Sequence, residues 1–184
     1  MIDLKKILNE KSYNKLGLDL KKNLINLNNE KKHYSDSFFE EYKRYPKIQL
    51  DSFNNLNLNE ERFYSNSKWN QKDLKNKNIL EVGSGAGKFT EILIKSGCNL
   101  ITTDSSDAIN INFKNNQKLD ISKTVFIKTN ANETIFRDNI FDYVVLYGVL
   151  QNVDNQKKII GNCISQIKKG GSFTLDVTRA NKFN

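Results

Sequence analysis

Proline, histidine and tryptophan each occur once in this chain of 184 residues, and cysteine occurs only twice. No stretch approaches the roughly 20 consecutive apolar residues of a membrane-spanning helix. Each scarcity removes a class of protein. With one proline, 38% hydrophobic and 27% charged residues, the composition is that of a soluble globular protein with a polar surface, not a low-complexity chain. Cys98 and Cys163 form no C-x-x-C and have no companion histidine, so buried reduced thiols are expected. The N-terminus mixes Asp3, Lys5, Lys6 and Glu10 with short apolar runs and reads as no leader. A cytoplasmic protein of one domain is the expectation, burying roughly 70% of its unfolded surface.

The formal net charge is +8. A nucleic-acid footprint would concentrate that charge on one face or arm. Residues 1–76 hold 15 basic and 11 acidic side chains and residues 77–184 hold 14 and 10, which is +4 in each part. The lysine pairs therefore read as solvated helix faces, and nucleic acid is not an expected partner.

The most informative stretch is Ile79-Leu80-Glu81-Val82-Gly83-Ser84-Gly85-Ala86-Gly87. A buried-strand pattern runs into alternate glycines and then into a helical pattern, which predicts a nucleotide-binding turn where the backbone must approach a ligand closely. The spacing excludes two ligands. A dinucleotide fingerprint places its third glycine where this chain has Lys88, and a Walker A loop needs Ser or Thr where it has Phe89.

From Asn78 onward strand and helix patterns alternate: Asn78–Val82, Gly87–Lys95, Asn99–Asp104, Asp107–Gln117, Thr124–Thr129, Phe141–Tyr147, Asp154–Lys168 and Ser172–Val177. Such alternation means parallel strands with crossover helices, and an α/β, Rossmann-like, doubly wound and mostly parallel sheet with helices on both faces is predicted. The ligand belongs at the carboxyl ends of its strands. Residues 1–76 read as an N-terminal helical extension, with apolar positions from Leu16 to Leu27 only loosely periodic. Residues 77–184 form the ligand-binding domain.

The E-x-G-x-G-x-G pattern resembles motif I of the class I S-adenosylmethionine-dependent methyltransferases. The resemblance continues through Asp104, Asn130-Ala131, Phe141-Asp142-Tyr143, Gly148-Val149-Leu150-Gln151 and Lys169-Gly170-Gly171, in the family's order. The family's sheet continues with a further helix and an antiparallel hairpin, whereas this chain stops at Asn184, so a shortened form is the expectation. The resemblance implies S-adenosylmethionine as cofactor, S-adenosylhomocysteine as product, and a small-molecule or sugar-type acceptor, with oxygen the preferred acceptor atom. A fold of this kind that binds without turnover is the alternative.

By resemblance Gly83, Ser84, Gly85 and Gly87 lie against the cofactor. Glu81 accepts hydrogen bonds from loop amides or, through water, from its ammonium. Asp104, 17 residues beyond Gly87, can accept both ribose hydroxyls, and Ser105 and Ser106 open the next helix as caps, with Ser105 also a cofactor-binding candidate. Asn130 stands where the family often has aspartate, and its amide oxygen can still accept from the adenine amino group, with Ala131 beside it. Tyr147 and Gly148 lie where sulfonium and acceptor meet. Arg62, in Glu60-Glu61-Arg62-Phe63-Tyr64, resembles a residue that holds the methionine carboxylate, a planar anion suited to guanidinium. No general base is evident: Gln151 replaces a histidine of some members, leaving Tyr147, Gln151 and the distant His33 as candidates. No Asp, Glu and His cluster has metal-ligand spacing. Tyr34, Arg62, Phe63 and Trp69 are expected to line a lid over the cleft, drawn from the N-terminal extension.

Overall fold

The computed structural model describes residues 2–16, 23–27 and 36–177, with only the backbone of residues 36–38. The described strands are β1 (Leu24–Asn26), β2 (Asn78–Val82), β3 (Asn99–Asp104), β4 (Thr124–Lys128), β5 (Phe141–Tyr147) and β6 (Ile167–Asp176). They form one sheet in the order β1-β4-β3-β2-β5-β6, and every pairing is parallel. The helices are α1 (Leu4–Ile7), α2 (Glu10–Lys15), α3 (Asp36–Arg44), α4 (Asp51–Asn54), α5 (Leu58–Ser67), α6 (Gln71–Leu74), α7 (Lys88–Lys95), α8 (Ala108–Asn116) and α9 (Gln156–Gln166).

Strand alternation divides the apolar residues between two faces. Leu80, Val82, Ile101, Val144 and Leu146 pack with Leu4, Ile7 and Leu8 of the N-terminus and with Ile159 and Cys163 of α9. Ile79, Leu100, Phe126 and Val145 pack on the other face with Phe63, Trp69, Phe89, Leu93 and Ile109. Each fully buried side chain of this size contributes about 1.5–3 kcal/mol, so both layers of helix are held chiefly by the sheet. Both cysteines are buried and unpaired.

Three sequence expectations need correction. Leu24–Asn26 is a strand, not part of an amphipathic helix, and runs parallel to β4 with Leu24 opposite Phe126. The Phe126 amide donates to Asn23 O at 2.7 Å and the Leu27 amide to Lys128 O at 2.9 Å. Ile25 and Leu27 are buried and Asn26 exposed, so the loose helical periodicity was the two-residue period of a strand. The last strand begins at Ile167, five residues earlier than Ser172, because the Asn139 and Ile140 amides already bond to Ser165 O and Gln166 O. The third correction concerns the lid. Phe63 is 0% and Trp69 9% exposed, Trp69 Nε1 donates to Ser172 Oγ at 3.0 Å, and its ring meets Tyr143 edge-on at 4.7 Å. These two aromatics fasten α5 to the sheet and do not cover the cleft. Tyr34 lies outside the described residues.

Candidate functional site

A cleft of about 740 Å³ opens over the carboxyl ends of the strands, at the point where the chain order reverses beside β2. Its floor is the glycine turn. Gly83, Gly85 and Gly87 have φ of +74°, +54° and +96°, a region L side chains rarely adopt. A Cβ on Gly83 would stand 2.1 Å from Val149 Cγ2, and one on Gly85 would stand 2.8 Å from the Tyr42 hydroxyl. The turn is thus closed by neighbours as well as open to the cleft.

Asp104, at the end of β3, fixes this turn. Its Oδ2 accepts from the Gly85 amide at 2.9 Å, and its Oδ1 accepts from the Ser106 amide at 2.9 Å and hydroxyl at 2.7 Å. Ser106 Oγ in turn accepts from the Ala108 amide at 3.1 Å, so of the two serines expected as caps Ser106 has this contact, with the helix beginning at Ala108. A carboxylate has about four lone-pair sites, so Asp104 keeps acceptor capacity toward the cleft.

Arg62, Gly83, Ser84, Gly85, Asp104, Ser105, Asn130, Ala131, Tyr147, Gly148 and Gln151 all line the cleft. Two expected members do not. Gly87 faces α8, where a Cβ would meet Asn112 Oδ1 at 2.1 Å, so its missing side chain serves helix packing. Glu81 is 2% exposed and its Oε2 accepts from Thr90 at 2.6 Å and Thr102 at 2.8 Å, not from loop amides, because its side chain turns under α7. Asn112 donates to Thr90 Oγ1 at 2.8 Å and Ser84 Oγ at 2.9 Å, and Asn116 donates to Asn112 Oδ1 at 2.8 Å, so a buried polar chain runs from α8 to Glu81. Glu81 Oε1 has no partner, and burial pushes the carboxyl up to about 7 despite the two hydroxyls. His33 lies outside the described residues.

Other contacts fix the candidate side chains. Asn130 Oδ1 accepts from the Asn132 amide at 2.9 Å, shaping the turn after β4. Tyr147 is 6% exposed, and its hydroxyl bonds to Thr174 Oγ1 at 2.8 Å. Burial raises its pKa, so it is a weak acid whose oxygen is already engaged. Arg62 pairs with Asp176 at 2.5 Å, not with Glu60 or Glu61, and Asp176 Oδ1 accepts from the Gly148 amide at 2.6 Å.

Asp176, Lys88 and Tyr42 line the cleft and were missed as site residues. Asp176 ends β6 and lies next to last in the predicted strand Ser172–Val177, so the rule that ligands lie at carboxyl ends would have found it. Lys88 was used only to exclude a dinucleotide, although the first residue of a helix after a glycine turn is well placed to face the ligand. Tyr42 comes from α3, where no pattern announced it. Its hydroxyl is pushed up to about 12 by burial and by the Asp104 and Glu41 carboxylates.

A parallel doubly wound sheet with a glycine turn and a strand-end carboxylate defines the Rossmann-like class of nucleotide-binding proteins. The profile of a methyltransferase domain family matches residues 80–175, just over half of the chain, and the chain belongs to that family as a class I S-adenosylmethionine-dependent methyltransferase fold. The ubiquinone biosynthesis O-methyltransferase of Coxiella burnetii is 30% identical over 109 residues, covering 59% of this chain and 46% of that protein. The chain thus spans about half the length of the curated relatives it matches. A protein of Pyrococcus horikoshii has the same fold at a TM-score of 0.57, with 20% identity and coverage of 74% of this chain and 64% of that one. So does phosphoethanolamine N-methyltransferase 2 of Haemonchus contortus, solved with phosphomonomethylethanolamine and S-adenosylhomocysteine, at 0.56, 18%, 69% and 30%. Among the described residues no helix is long and apolar enough to cross a membrane.

Proposed function

We propose that this chain binds S-adenosylmethionine in the cleft over Gly83 and Gly85 and transfers its methyl group to a small-molecule acceptor, releasing S-adenosylhomocysteine. The observation that carries the reading is Asp104, whose carboxylate locks the Gly85 amide while facing a cleft of about 740 Å³, a volume usual for cofactor sites. Donors and acceptors fit the cofactor: Asp104 suits ribose hydroxyls, Asn130 the adenine edge, and Arg62 with Asp176 the zwitterionic methionine end.

The cofactor supplies an electrophilic methyl group on a sulfonium. What the protein adds is alignment, which alone can contribute several kcal/mol by removing orientational freedom. The glycine turn and Asp104 fix the nucleoside flank, and Tyr147 and Gly148 close the reacting flank. The oxygen acceptor is supported by the O-methyltransferase among the relatives. Isothermal titration with S-adenosylhomocysteine and with NAD tests the assignment, and tighter binding of NAD overturns it.

A second reading, binding without turnover, is favoured by the side chains near Gly148. The Tyr147 hydroxyl is engaged by Thr174 and Gln151 cannot accept a proton as an imidazole does. Formation of S-adenosylhomocysteine from S-adenosylmethionine on incubation with phenolic and sugar acceptors separates the two readings.

A further inference from the structure

The segment joining α3 to α5 bonds its polar side chains to its own backbone and leaves its apolar ones in solvent. Eight large hydrophobic side chains are exposed among the described residues, and five of them, Tyr45, Ile48, Phe53, Leu56 and Leu58, fall within residues 45–58, each between 47% and 63% exposed. Leu50 is the one large apolar residue of that stretch turned inward. Asp51 is buried with it, and accepts from the Asn59 amide and side chain at 3.2 and 2.7 Å and from the Glu60 amide at 2.9 Å. Asn59 Nδ2 also donates to Gln49 O at 2.8 Å, and Asn54 Nδ2 donates to Ile48 O at 2.7 Å. These bonds close residues 48–59 into one compact knob. Apolar side chains scattered singly over a surface mean little, whereas a cluster held outward by a built scaffold marks an interaction surface. None of the five lines the cleft, although their neighbours Tyr42 and Gln49 do, so the knob stands at the cleft's rim.

We propose that residues 45–58 form a peripheral docking surface for an anionic lipid bilayer, into whose headgroup region the five apolar side chains insert. The inference does not depend on the methyltransferase reading. Charge selects this partner. Lys43, Arg44 and Lys47 are exposed around Tyr45 and Ile48, while Glu41 lines the cleft and Asp51 is engaged inside the knob, so the Tyr45 to Ile48 end is basic. Glu40 offsets only Lys43, at 3.8 Å, and Glu60 and Glu61 stand beyond Leu58 in the first turn of α5. Lysine and arginine can lay their stems along the acyl boundary and keep their charges among headgroup phosphates. A second copy of the chain fits less well, because each copy carries a net charge of +8 and the basic ends would meet. A bilayer also accommodates protruding side chains at any spacing, whereas a protein partner must match them one by one. Contact with one leaflet needs no spanning helix. Docked in this way, the rim that carries Tyr42 and Gln49 lies beside the headgroups.

Co-sedimentation with vesicles tests the surface, using phosphatidylcholine alone and equal parts of phosphatidylcholine and phosphatidylglycerol. The variants are Ile48→Ser with Phe53→Ser and Leu58→Ser, Arg44→Gln with Lys47→Gln, and Ile164→Ser, an exposed residue of α9 that serves as control, each first shown to be folded by thermal denaturation. The wild type is expected on the mixed vesicles, with affinity for phosphatidylcholine alone about tenfold lower. The triple serine variant binds the mixed vesicles about tenfold more weakly or worse, the double glutamine variant loses most of the preference for them, and Ile164→Ser stays within twofold of the wild type. Phe53→Ser alone, weakening binding about threefold, gives the same answer if the triple variant unfolds. A wild type that binds neither vesicle overturns the proposal and leaves an acidic protein as the partner to seek. Equal binding by the wild type and the triple variant also overturns it, since net charge alone then accounts for the attraction. So does dimerisation without lipid in sedimentation velocity that the triple variant abolishes, which makes the knob an interface between copies.

Discussion

On the flank of β3 and β4 a single carboxylate, Asp104, ties the glycine turn to the next helix, whereas on the flank of β5 and β6 an ion pair, Arg62 with Asp176, stands at the cleft. Asp104 satisfies three donors from Gly85 and Ser106, and Asn130 shapes its own turn. Opposite them, Arg62 and Asp176 pair across 114 residues of chain, and Lys88, half-buried, has no ion-pair partner among the described residues. The first flank is a preorganised seat whose groups hold their places before any ligand arrives.

Four substitutions or probes bear on that contrast. The largest effect is expected at Gly87, on the scaffold side. Gly87→Ala forces a side chain into φ +96° and against Asn112 Oδ1, so folding stability falls by about 2–4 kcal/mol. Denaturant unfolding measures it, and a loss under 1 kcal/mol would show that the Asn112–Asn116 contact yields.

Glu81 gives a pH signature of nearly the same size. Its folded carboxyl lies near 7, above the ordinary 4.5, so the unfolded chain gives up the proton first. The associated stability is complete below about pH 4.5, declines as pH rises through 7, and is absent above; a shift of this size corresponds to about 3 kcal/mol. Glu81→Gln removes that decline, so the variant gains on the wild type between pH 5 and pH 8 in urea unfolding. Parallel pH profiles for the two proteins contradict the raised carboxyl.

Asp104→Asn tests the seat itself. The amide keeps one acceptor oxygen and loses the charge, so S-adenosylhomocysteine binds at least tenfold more weakly, from charge-assisted hydrogen bonds of about 1.5–3 kcal/mol. Stability also falls, by about 1–2 kcal/mol, because the same carboxylate ties Gly85 and Ser106. Unchanged affinity in a folded variant would leave Asp104 as a turn-fixing residue alone. The smallest effect is expected at Trp69. Buried against Tyr143 and bonded to Ser172, its fluorescence stays the same on saturation with S-adenosylhomocysteine. A large change would restore α5 as a moving cover and blur the division between fixed and responsive flanks.

Much of the sheet was legible because its signals are local. Tyr143-Val144-Val145-Leu146 is apolar on both faces, which only a strand covered on each side requires, and β2, β3 and β5 have the boundaries that pattern indicates. Misread elements depended on distant partners. β1 has three residues, too few for a period to declare itself, and exists because β4 offers an open edge. Residues 167–171 read as helix and loop until pairing with β5 makes them strand, with an irregularity between Phe141 and Tyr143 to absorb the glycines. At the site, the glycine turn and Asp104 were visible as spacing, whereas Tyr42 and the Arg62–Asp176 pair were not, since nothing in spacing says which helix crosses which strand end.

The sequence by itself determined the order of strands and helices, the turn at Gly83 to Gly87 and the strand-end positions of Asp104, Asn130 and Gly148, because periodicity and positive φ are properties of a few neighbouring residues. Only the tertiary structure decided what each charge does. Glu81 became a buried carboxyl under α7, Gly87 a packing contact, Trp69 a fastening, and Lys88 a cation facing the cleft, since burial and the nearest opposite charge are set by segments far apart in the chain.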